Sequence, residues 1–388
     1  MPGPLDGVRV VELASYITGP FAGQLLADLG AEVVKIEPPK HGDPFRGGGN
    51  QYTSQFVGHN HGKRSLTLDL KAPGGLDIFD RLVARADVLI ENFRPGVAER
   101  LGVGYDRVRQ LSPRIIYCAI SGFGESGPYL DRPSYNEIGH ALSGLWLQLI
   151  KNGDLRPPGP ALSDPLTGVF AFHSILAALY ARERTGEGQR IGVSMLEATM
   201  GFMAEAYSSW FGRAEIKSSR PQHSQAYGFW CADGRALGIH LSSPPKFWEA
   251  LVRTLGREDM LADPRLATYE QRVREYDAIY QELAPVFATR PRDEWLELLQ
   301  AADVPAAPIH SVAEALDDPQ VQHLNLVETA EHPTKGPVHW IRSAARFERT
   351  PVGTPLPPPA LGEHTDDILA ELGFSAADVE RLRSAGAI

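Results

Sequence analysis

The sequence contains little cysteine and no long apolar run. Its 388 residues include two cysteines, Cys118 and Cys231, which are too few for a disulfide scaffold or a four-cysteine zinc site. Each lies within an apolar run, so we predict that both thiols are buried. No stretch approaches the ~18 consecutive apolar residues of a transmembrane helix, and the first residues lack the basic and then apolar pattern of a secretion leader. We therefore expect a cytoplasmic protein without a membrane partner.

Positive charge is also scarce. Lysine and arginine number 38 against 48 aspartates and glutamates, which gives a formal net charge of −10. This balance argues against a nucleic-acid partner, although it is compatible with a local basic pocket for a phosphorylated ligand. His59 and His61 could supply two ligands to a metal, but no further cluster with metal-ligand spacing stands near them in the sequence. We predict that they are solvated loop histidines and that no metal is bound.

Short apolar runs alternate with amphipathic segments through the first third of the chain. The runs predict strands and the segments predict helices, an alternation typical of an α/β fold with a parallel sheet. Because ligands on open parallel sheets bind beyond the carboxyl ends of the strands, the loops after these strands are the candidate site. The predicted elements are strands at Val8–Leu13, Glu32–Ile36, Ser65–Leu70, Asp87–Ile90 and Arg114–Ile120, and helices at Ala22–Leu29 and Gly75–Ala86.

One of these loops, from Gly122 to Gly127, matches the G-x-G-x-x-G pattern of dinucleotide-binding sites. That pattern requires a helix that begins at the second glycine, whereas Pro128 and Pro133 follow here. The loop also comes after the fifth predicted strand instead of the first. We therefore interpret it as a loop without a nicotinamide or flavin site.

The pattern changes near Ser218. The segment Phe229–Leu241 has the alternation of a hairpin around Asp233-Gly234, which is a strong two-residue turn signal. This change predicts a second, smaller domain. The remaining predicted elements are helices at 246–255, 269–287 and 292–301, a strand at 337–347, a proline-rich extended connector at 350–359 and a helical tail from Thr365.

The segment from Ser163 to Gly186 carries clear helix signals. Ser163 and Asp164 before Pro165 predict a helix start with a side-chain cap, and cations followed by Gly186 predict its end. A strand at Ile191–Val193 and a second helix follow. An aspartate before a proline at a helix start is most often a cap, so a catalytic carboxylate is the less common alternative for this segment alone.

Several short motifs occur together in this sequence. They are PLDGVRVVE at 4–12, LGAEVVKIE at 29–37, ENFRPG at 91–96, SD at 163–164, RTGEGQ at 184–189 and LGEHT at 361–365. With this combination the chain resembles the family III CoA-transferases, the CaiB/BaiF group that includes formyl-CoA and carnitine CoA-transferases. The resemblance implies an interlocked homodimer. It also implies an α/β Rossmann-like large domain made from 1–217 and 331–388, with a small α+β domain at 218–330.

The resemblance further implies roles for particular residues. Asp164 aligns with the catalytic aspartate of the family, a nucleophile that forms an anhydride and then an aspartyl-CoA thioester. Acyl-CoA and a small carboxylic acid are the expected substrates, without a tightly bound cofactor, and N–H groups at the same helix start are expected to stabilise the oxyanion. The expected CoA contacts are Ile17, Thr18, Leu68, Asn92, Phe93, Arg100 and Arg132, and the expected substrate pocket is formed by Tyr135, Asn136 and His140.

Four residues depart from the pattern of this family. Ile17 stands where the formyl-CoA transferase branch has a glutamine, and Pro38 stands where that branch has an adenine-stacking arginine. Asn136 replaces an acidic residue common in the family, and His140 takes a usual glutamine position. We therefore expect the acid to be longer or less charged than oxalate or formate.

Two alternatives to CoA transfer stay open at this point. The same fold hosts α-methylacyl-CoA racemases, which need a His/Asp pair to exchange a proton, whereas here Tyr135 occupies the position of their histidine. The other alternative is a non-catalytic CoA-binding protein. Retention of Asp164 together with Asn92-Phe93 argues against that alternative.

Overall fold

The computed structural model describes residues 3–47, 52–150, 153–212, 219–241 and 245–388. The chain divides into two compact units, the larger formed by Met1–Tyr207 with Leu326–Ile388 and the smaller by Ser208–Asn325. The predicted domain boundary at 217/218 lies outside the described residues, and the three-part division of the sequence stays a prediction.

The larger unit contains a six-stranded sheet in which all neighbouring strands are parallel. The strand order is β3-β2-β1-β4-β5-β6, so the direction of winding reverses between β1 and β4. Loops that follow these two strands face the same crevice, which is where α/β sheets bind ligands. The strands are β1 (Arg9–Leu13), β2 (Glu32–Glu37), β3 (Lys63–Thr67), β4 (Val88–Glu91), β5 (Ile116–Ser121) and β6 (Gln189–Ser194).

The described helices of the larger unit precede and follow those of the smaller unit in the chain. The first group is α1 (Thr18–Ala27), α2 (Ser54–Asn60), α3 (Gly75–Val83), α4 (Val97–Arg100), α5 (Tyr105–Leu111), α6 (Asn136–Leu142), α7 (Leu145–Leu149), α8 (Ser163–Thr185), α9 (Met195–Phe202) and α10 (Ala204–Phe211), which crosses the unit boundary. The smaller unit then has α11 (Arg220–Ser224), α12 (Pro245–Thr254), α13 (Asp259–Ala262), α14 (Tyr269–Arg274), α15 (Tyr276–Phe287), α16 (Arg292–Ala301), α17 (Val312–Asp317) and α18 (Pro319–Leu324). The larger unit ends with α19 (Thr365–Glu371) and α20 (Ala376–Ser384).

The predicted strands of the sheet are confirmed, with ends that differ by at most three residues. Helix α1 begins at Thr18, earlier than predicted, because Pro20 lies in the first turn, where its missing N–H removes no helical hydrogen bond. Helix α8 ends as predicted, with Gly186 in the left-handed conformation at φ 79°.

Apolar residues cover both faces of the sheet, as its mainly apolar inner strands require. Neighbouring residues of one strand point to opposite faces: Val10 packs with α1 and α8, and Val11 packs with α3, α5 and the C-terminal helices. Leu369 of α19 and Leu382 of α20 belong to the same apolar cluster as Val11. Both ends of the chain therefore contribute to one core.

Charged side chains are buried beside this apolar core. Lys35 Nζ lies 2.9 Å from carboxylate oxygens of both Glu12 and Asp43, and Lys63 Nζ lies 2.9 Å from the other oxygen of Glu12. Glycine at position 23 leaves room for these charged side chains, because a Cβ there would lie 2.1 Å from Glu12 Oε2. Burial lowers the pKa of Lys63 to about 8. These pairs connect β1, β2 and β3 below the ligand-binding edge of the sheet.

The expectation of solvated loop histidines is wrong. His59 belongs to α2, and His61 is buried with Nε2 2.7 Å from Asp28 Oδ1. Across the described residues, no group of three or more histidine, cysteine, aspartate or glutamate side chains is arranged to hold a metal.

The smaller unit contains a three-stranded antiparallel sheet. The predicted hairpin is confirmed as β7 (Ala226–Trp230) and β8 (Ala236–His240), and β9 (Ala306–Ile309), which was not predicted, pairs with β8. The single helix predicted at 269–287 is two helices, because Glu275 leaves the helical conformation with ψ 15°. Phe229 stacks on Phe287 with ring centroids 4.4 Å apart, so the hairpin and α15 share a core.

The strand predicted at 337–347 is the shorter β11 (Gly336–Ile341), and it pairs with β10 (Val327–His332), which was not predicted. The proline-rich segment after it is extended and packs within the larger unit, since Gly62 N–H donates to the carbonyl of Leu356 at 2.7 Å. Among the described helices, none has both the length and the apolar character needed to span a bilayer.

Candidate active site

A cavity of about 320 Å³ lies at the carboxyl ends of β1, β4 and β5. The loops that follow these strands, together with the start of α8, supply most of its lining. Gly122 and Gly124 of the glycine-rich loop also line it, and no helix begins there. The residues singled out from sequence that line this cavity are Ile17, Thr18, Asn92, Phe93, Arg132, Tyr135 and Asp164.

Asp164 lies in the first turn of α8, but it does not cap the helix. The residue at the cap position is Leu162, and no side chain of this segment closes the helix start. Instead, the N–H of Asp164 donates to Asn136 Oδ1 and the N–H of Ser163 donates to His140 Nε2, each at 3.3 Å. The predicted cap is therefore wrong, and the carboxylate of Asp164 lines the cavity.

The environment of Asp164 makes its carboxylate more basic than that of a surface aspartate. Burial, and then the negative charge of Glu137, raise the pKa of Asp164 to about 6. Glu137 also accepts a hydrogen bond from Asn136 Nδ2 at 3.2 Å, which orients the Asn136 oxygen toward α8. Sequence reasoning missed Glu137, although an acidic residue directly after Tyr135-Asn136 was the available signal.

Asn136 and His140 were expected in the substrate pocket, but neither lines the cavity. Both belong to α6 and are buried behind the start of α8. Burial lowers the pKa of His140, so its ring stays neutral and can accept the Ser163 N–H. These two side chains position Asp164, whereas Tyr135 reaches the cavity.

Asn92 holds the loop between β1 and α1. Its Oδ1 accepts from the N–H of Ser15 at 3.0 Å, and its Nδ2 donates to the carbonyl of Ser15 at 2.8 Å and to Thr18 Oγ1 at 3.1 Å. Both amide hydrogens are therefore bonded within the protein. Asn92 shapes the wall of the cavity and does not offer its N–H groups to a ligand.

A second cavity of about 460 Å³ adjoins the first. Ser15 and Phe93 line both cavities, so the two spaces meet at these residues. Leu68 lines the second cavity, together with Lys40 and Lys71, which sequence reasoning did not single out. The exposed Arg100, an expected CoA contact, lines neither cavity.

The first cavity carries an excess of positive charge. Arg94 and Arg132 line it, and neither is paired with an acidic side chain of the described residues. The Arg132 guanidinium lies 3.8 Å above the ring of Tyr129, a cation–π contact that leaves its N–H groups available. Asp164 is the one carboxylate among the residues described as lining this cavity.

This geometry, a basic carboxylate at the crevice of a parallel α/β sheet, agrees with a protein-family match that extends over residues 5–365. The chain belongs to CoA-transferase family III. It is 33% identical to the succinyl-CoA:glutarate CoA-transferase of Mus musculus, over 99% of this chain and 90% of that protein. It is 38% identical to the acetyl-CoA:oxalate CoA-transferase of Acetobacter aceti, over 84% of this chain and 85% of that protein.

Solved structures agree with this assignment. A CAIB/BAIF family protein from Brucella suis superposes with a TM-score of 0.84 at 32% identity, covering 96% of this chain and all of that one. The racemase interpretation is not favoured, because these curated relatives are named as CoA-transferases. The family assignment from sequence motifs is confirmed.

Proposed function

We propose that this protein transfers CoA from an acyl-CoA thioester to a free carboxylic acid, with Asp164 as the nucleophile. The observation that carries the proposal is the placement of a basic carboxylate, at the start of α8, in the cavity built by the loops after β1 and β4. The names of the relatives support CoA transfer as the reaction.

The two adjoining cavities suit the length of an acyl-CoA. The thioester lies beside Asp164 in the first cavity, and the pantetheine arm passes Ser15 and Phe93 into the second. Lys40 and Lys71 provide cations there for the phosphate groups of the nucleotide. Leu68 and Pro38 supply apolar contacts.

The reaction proceeds through covalent intermediates on Asp164. The carboxylate attacks the thioester carbonyl, forming a mixed anhydride and expelling CoA thiolate. The thiolate attacks the aspartyl carbonyl, which releases the donor acid and forms an aspartyl-CoA thioester. The acceptor carboxylate then attacks that thioester, giving a second anhydride and thiolate. Finally the thiolate attacks the acyl carbonyl, which yields the new acyl-CoA and restores the carboxylate of Asp164.

The oxyanion in these steps needs backbone donors other than those of α8. The N–H groups of Ser163 and Asp164 already donate hydrogen bonds to side chains of α6. We therefore no longer assign the oxyanion to these two N–H groups. Helix α1 begins in the same cavity without a side-chain cap, and the N–H groups of Thr18 and Gly19 have no partner among the described residues. We assign the oxyanion to this helix start.

We further propose a dicarboxylic acid as the acceptor. Such an acid carries two negative charges, which match Arg94 and Arg132 in the cavity, neither of which pairs with an acidic side chain in the part of the chain that the structure describes. The relatives named above are named for glutarate and oxalate. A dicarboxylate longer than oxalate agrees with the residue differences noted in the sequence.

We also propose an interlocked homodimer in the cytoplasm, with a large domain made from both ends of the chain. The family resemblance supports the dimer, and the shared core of the N-terminal strands with α19 and α20 supports the domain. Light scattering coupled to size exclusion gives the oligomeric state, and a monomeric mass contradicts the dimer.

The proposal is tested by trapping the intermediate. Purified protein is incubated with a panel of acyl-CoAs that includes succinyl-, glutaryl-, acetyl- and formyl-CoA, and is quenched with hydroxylamine before peptide mass spectrometry. A hydroxamate on Asp164, absent from Asp164→Ala and retained in the exposed-residue control Asp131→Ala, supports CoA transfer. Exchange of an α-proton into heavy water without this label indicates a racemase. Acyl-CoA binding with neither reaction indicates a binding protein.

A further inference from the structure

Tyr16 has a backbone conformation that tyrosine rarely adopts. Its φ is +66°, and it is one of four non-glycine residues with positive φ in the described ranges. The other three are Gln225, Asp303 and Asn325 of the smaller unit, whereas Tyr16 lines the cavity that contains Asp164. A strained residue of this kind persists where its surroundings hold it, and such residues cluster at functional sites.

A buried carboxylate holds Tyr16 in this conformation. Asp43 Oδ1 accepts hydrogen bonds from the N–H of Tyr16 at 3.3 Å and from the N–H of Phe45 at 2.9 Å. The other oxygen of Asp43 lies 2.9 Å from the fully buried Lys35 Nζ. Asn92 fixes the preceding residue, Ser15, at both its N–H and its carbonyl. The conformation of Tyr16 is thus determined from two sides.

In this conformation Tyr16 lines the cavity, with its ring between two other aromatic rings. The ring meets Phe45 edge-on, with centroids 5.4 Å apart, and it meets Tyr135 edge-on at 6.0 Å. Tyr135 stands at the start of α6, so the two tyrosines connect the loops after β1 and β5. Burial and the neighbouring Tyr135 raise the pKa of Tyr16, and its hydroxyl is therefore a neutral donor at any physiological pH.

We propose that Tyr16 is a specificity-determining residue for the acid substrate, whose carboxylate accepts a hydrogen bond from the Tyr16 hydroxyl as it approaches Asp164. This inference rests on the proposed CoA-transferase function. In that reaction the acid carboxylate attacks the aspartyl-CoA thioester, and a neutral O–H donor stabilises this incoming carboxylate without forming an ion pair with Asp164 when that residue is ionised. In the acyl-CoA the reacting carboxyl group is a neutral thioester, so the contact acts on the acid.

Steady-state kinetics of Tyr16→Phe test the proposal with succinate and glutarate as the acids and succinyl-CoA and glutaryl-CoA as the donors. Loss of one hydrogen bond to a charged group raises the KM for the acid by about tenfold, while the KM for acyl-CoA changes much less. Tyr105→Phe is the matched control, because Tyr105 packs against Tyr117 away from the cavity, with centroids 5.6 Å apart, and it should leave both constants near the wild-type values.

Tyr16→Gly separates this role from a structural one. Glycine adopts a positive φ without strain, which offsets the loss of the ring contacts with Phe45 and Tyr135, so the variant stays folded in urea unfolding, yet its KM for the acid rises at least as much as in Tyr16→Phe. A wild-type KM for the acid in Tyr16→Phe, or an equal rise in both KM values, overturns the proposal. Absence of a hydroxamate on Asp164 in the wild-type protein would instead overturn the proposed function and this inference with it.

Discussion

Replacing Asp164 with asparagine should inactivate the protein and make it more stable. Burial and Glu137 raise the pKa of Asp164 from 3.8 to about 6 in the folded chain. Each pKa unit corresponds to ~1.4 kcal/mol, so ionised Asp164 lowers the free energy of unfolding by roughly 2–3 kcal/mol at pH 8. Asparagine has a similar shape and no charge, and it removes this penalty.

The sign of the effect follows from proton binding. Because the folded state keeps the proton of Asp164 to a higher pH than the unfolded state does, wild-type stability falls as pH rises from about 4 to about 6. The increase in the free energy of unfolding caused by Asp164→Asn is therefore largest at pH 8, roughly half as large at pH 5, and absent below the ordinary pKa of aspartate.

Urea unfolding at pH 8 and pH 5 measures this difference. Asp164→Asn is compared with the wild type and with Asp131→Asn, which removes an exposed aspartate that lies outside the cavity lining. The reasoning is refuted if Asp164→Asn is destabilised at pH 8, or if its gain in stability is the same at both pH values. Retention of CoA transfer in this variant would refute the nucleophilic role of Asp164.

Three further predictions concern the same cavity. The kcat/KM for CoA transfer should rise with pH through about 6 and then level off, as Asp164 ionises; a flat profile from pH 5 to 8 contradicts this. Asn92→Ala removes the hydrogen bonds that hold the loop after β1. Kinetics should show a higher KM for acyl-CoA, and urea unfolding should show a free energy of unfolding lower by roughly 1–3 kcal/mol. An unchanged KM would argue that this loop does not contact CoA. Lys35→Met leaves Asp43 buried without a cation, while Glu12 keeps Lys63, and this should cost about 3–5 kcal/mol. The double variant with Asp43→Asn should recover part of the loss in the same unfolding assay, and no recovery contradicts the pairing.

Local patterns in the sequence were sufficient for much of the fold. The apolar residues of the inner strands β1, β2, β4 and β5 identify the centre of the sheet, because strands covered on both faces are mainly apolar. The end of α8 was predictable because Gly186 is a local signal. The break at Glu275 between α14 and α15 was not, since the residues around it have ordinary helical periodicity.

The candidate site was predictable in part. Motif positions identified Asp164 and six other residues that line the cavity, but they could not show that Asn136 and His140 lie behind its wall. Nor could they show Lys40 and Lys71 in the second cavity. Sequence similarity indicates which positions take part in a site, whereas the direction of each side chain depends on packing.

The sequence by itself determined the alternating α/β order, the family and the position of the key carboxylate. Tertiary structure alone decided the chemistry around that carboxylate. The caps of α8 come from residues 28 and 23 positions earlier in the chain, and Tyr16 is held by Asp43 across 27 positions. No periodicity or residue spacing in the sequence predicts such contacts. They exist because buried N–H groups and charges must find partners, and the folded chain determines which partners are within reach.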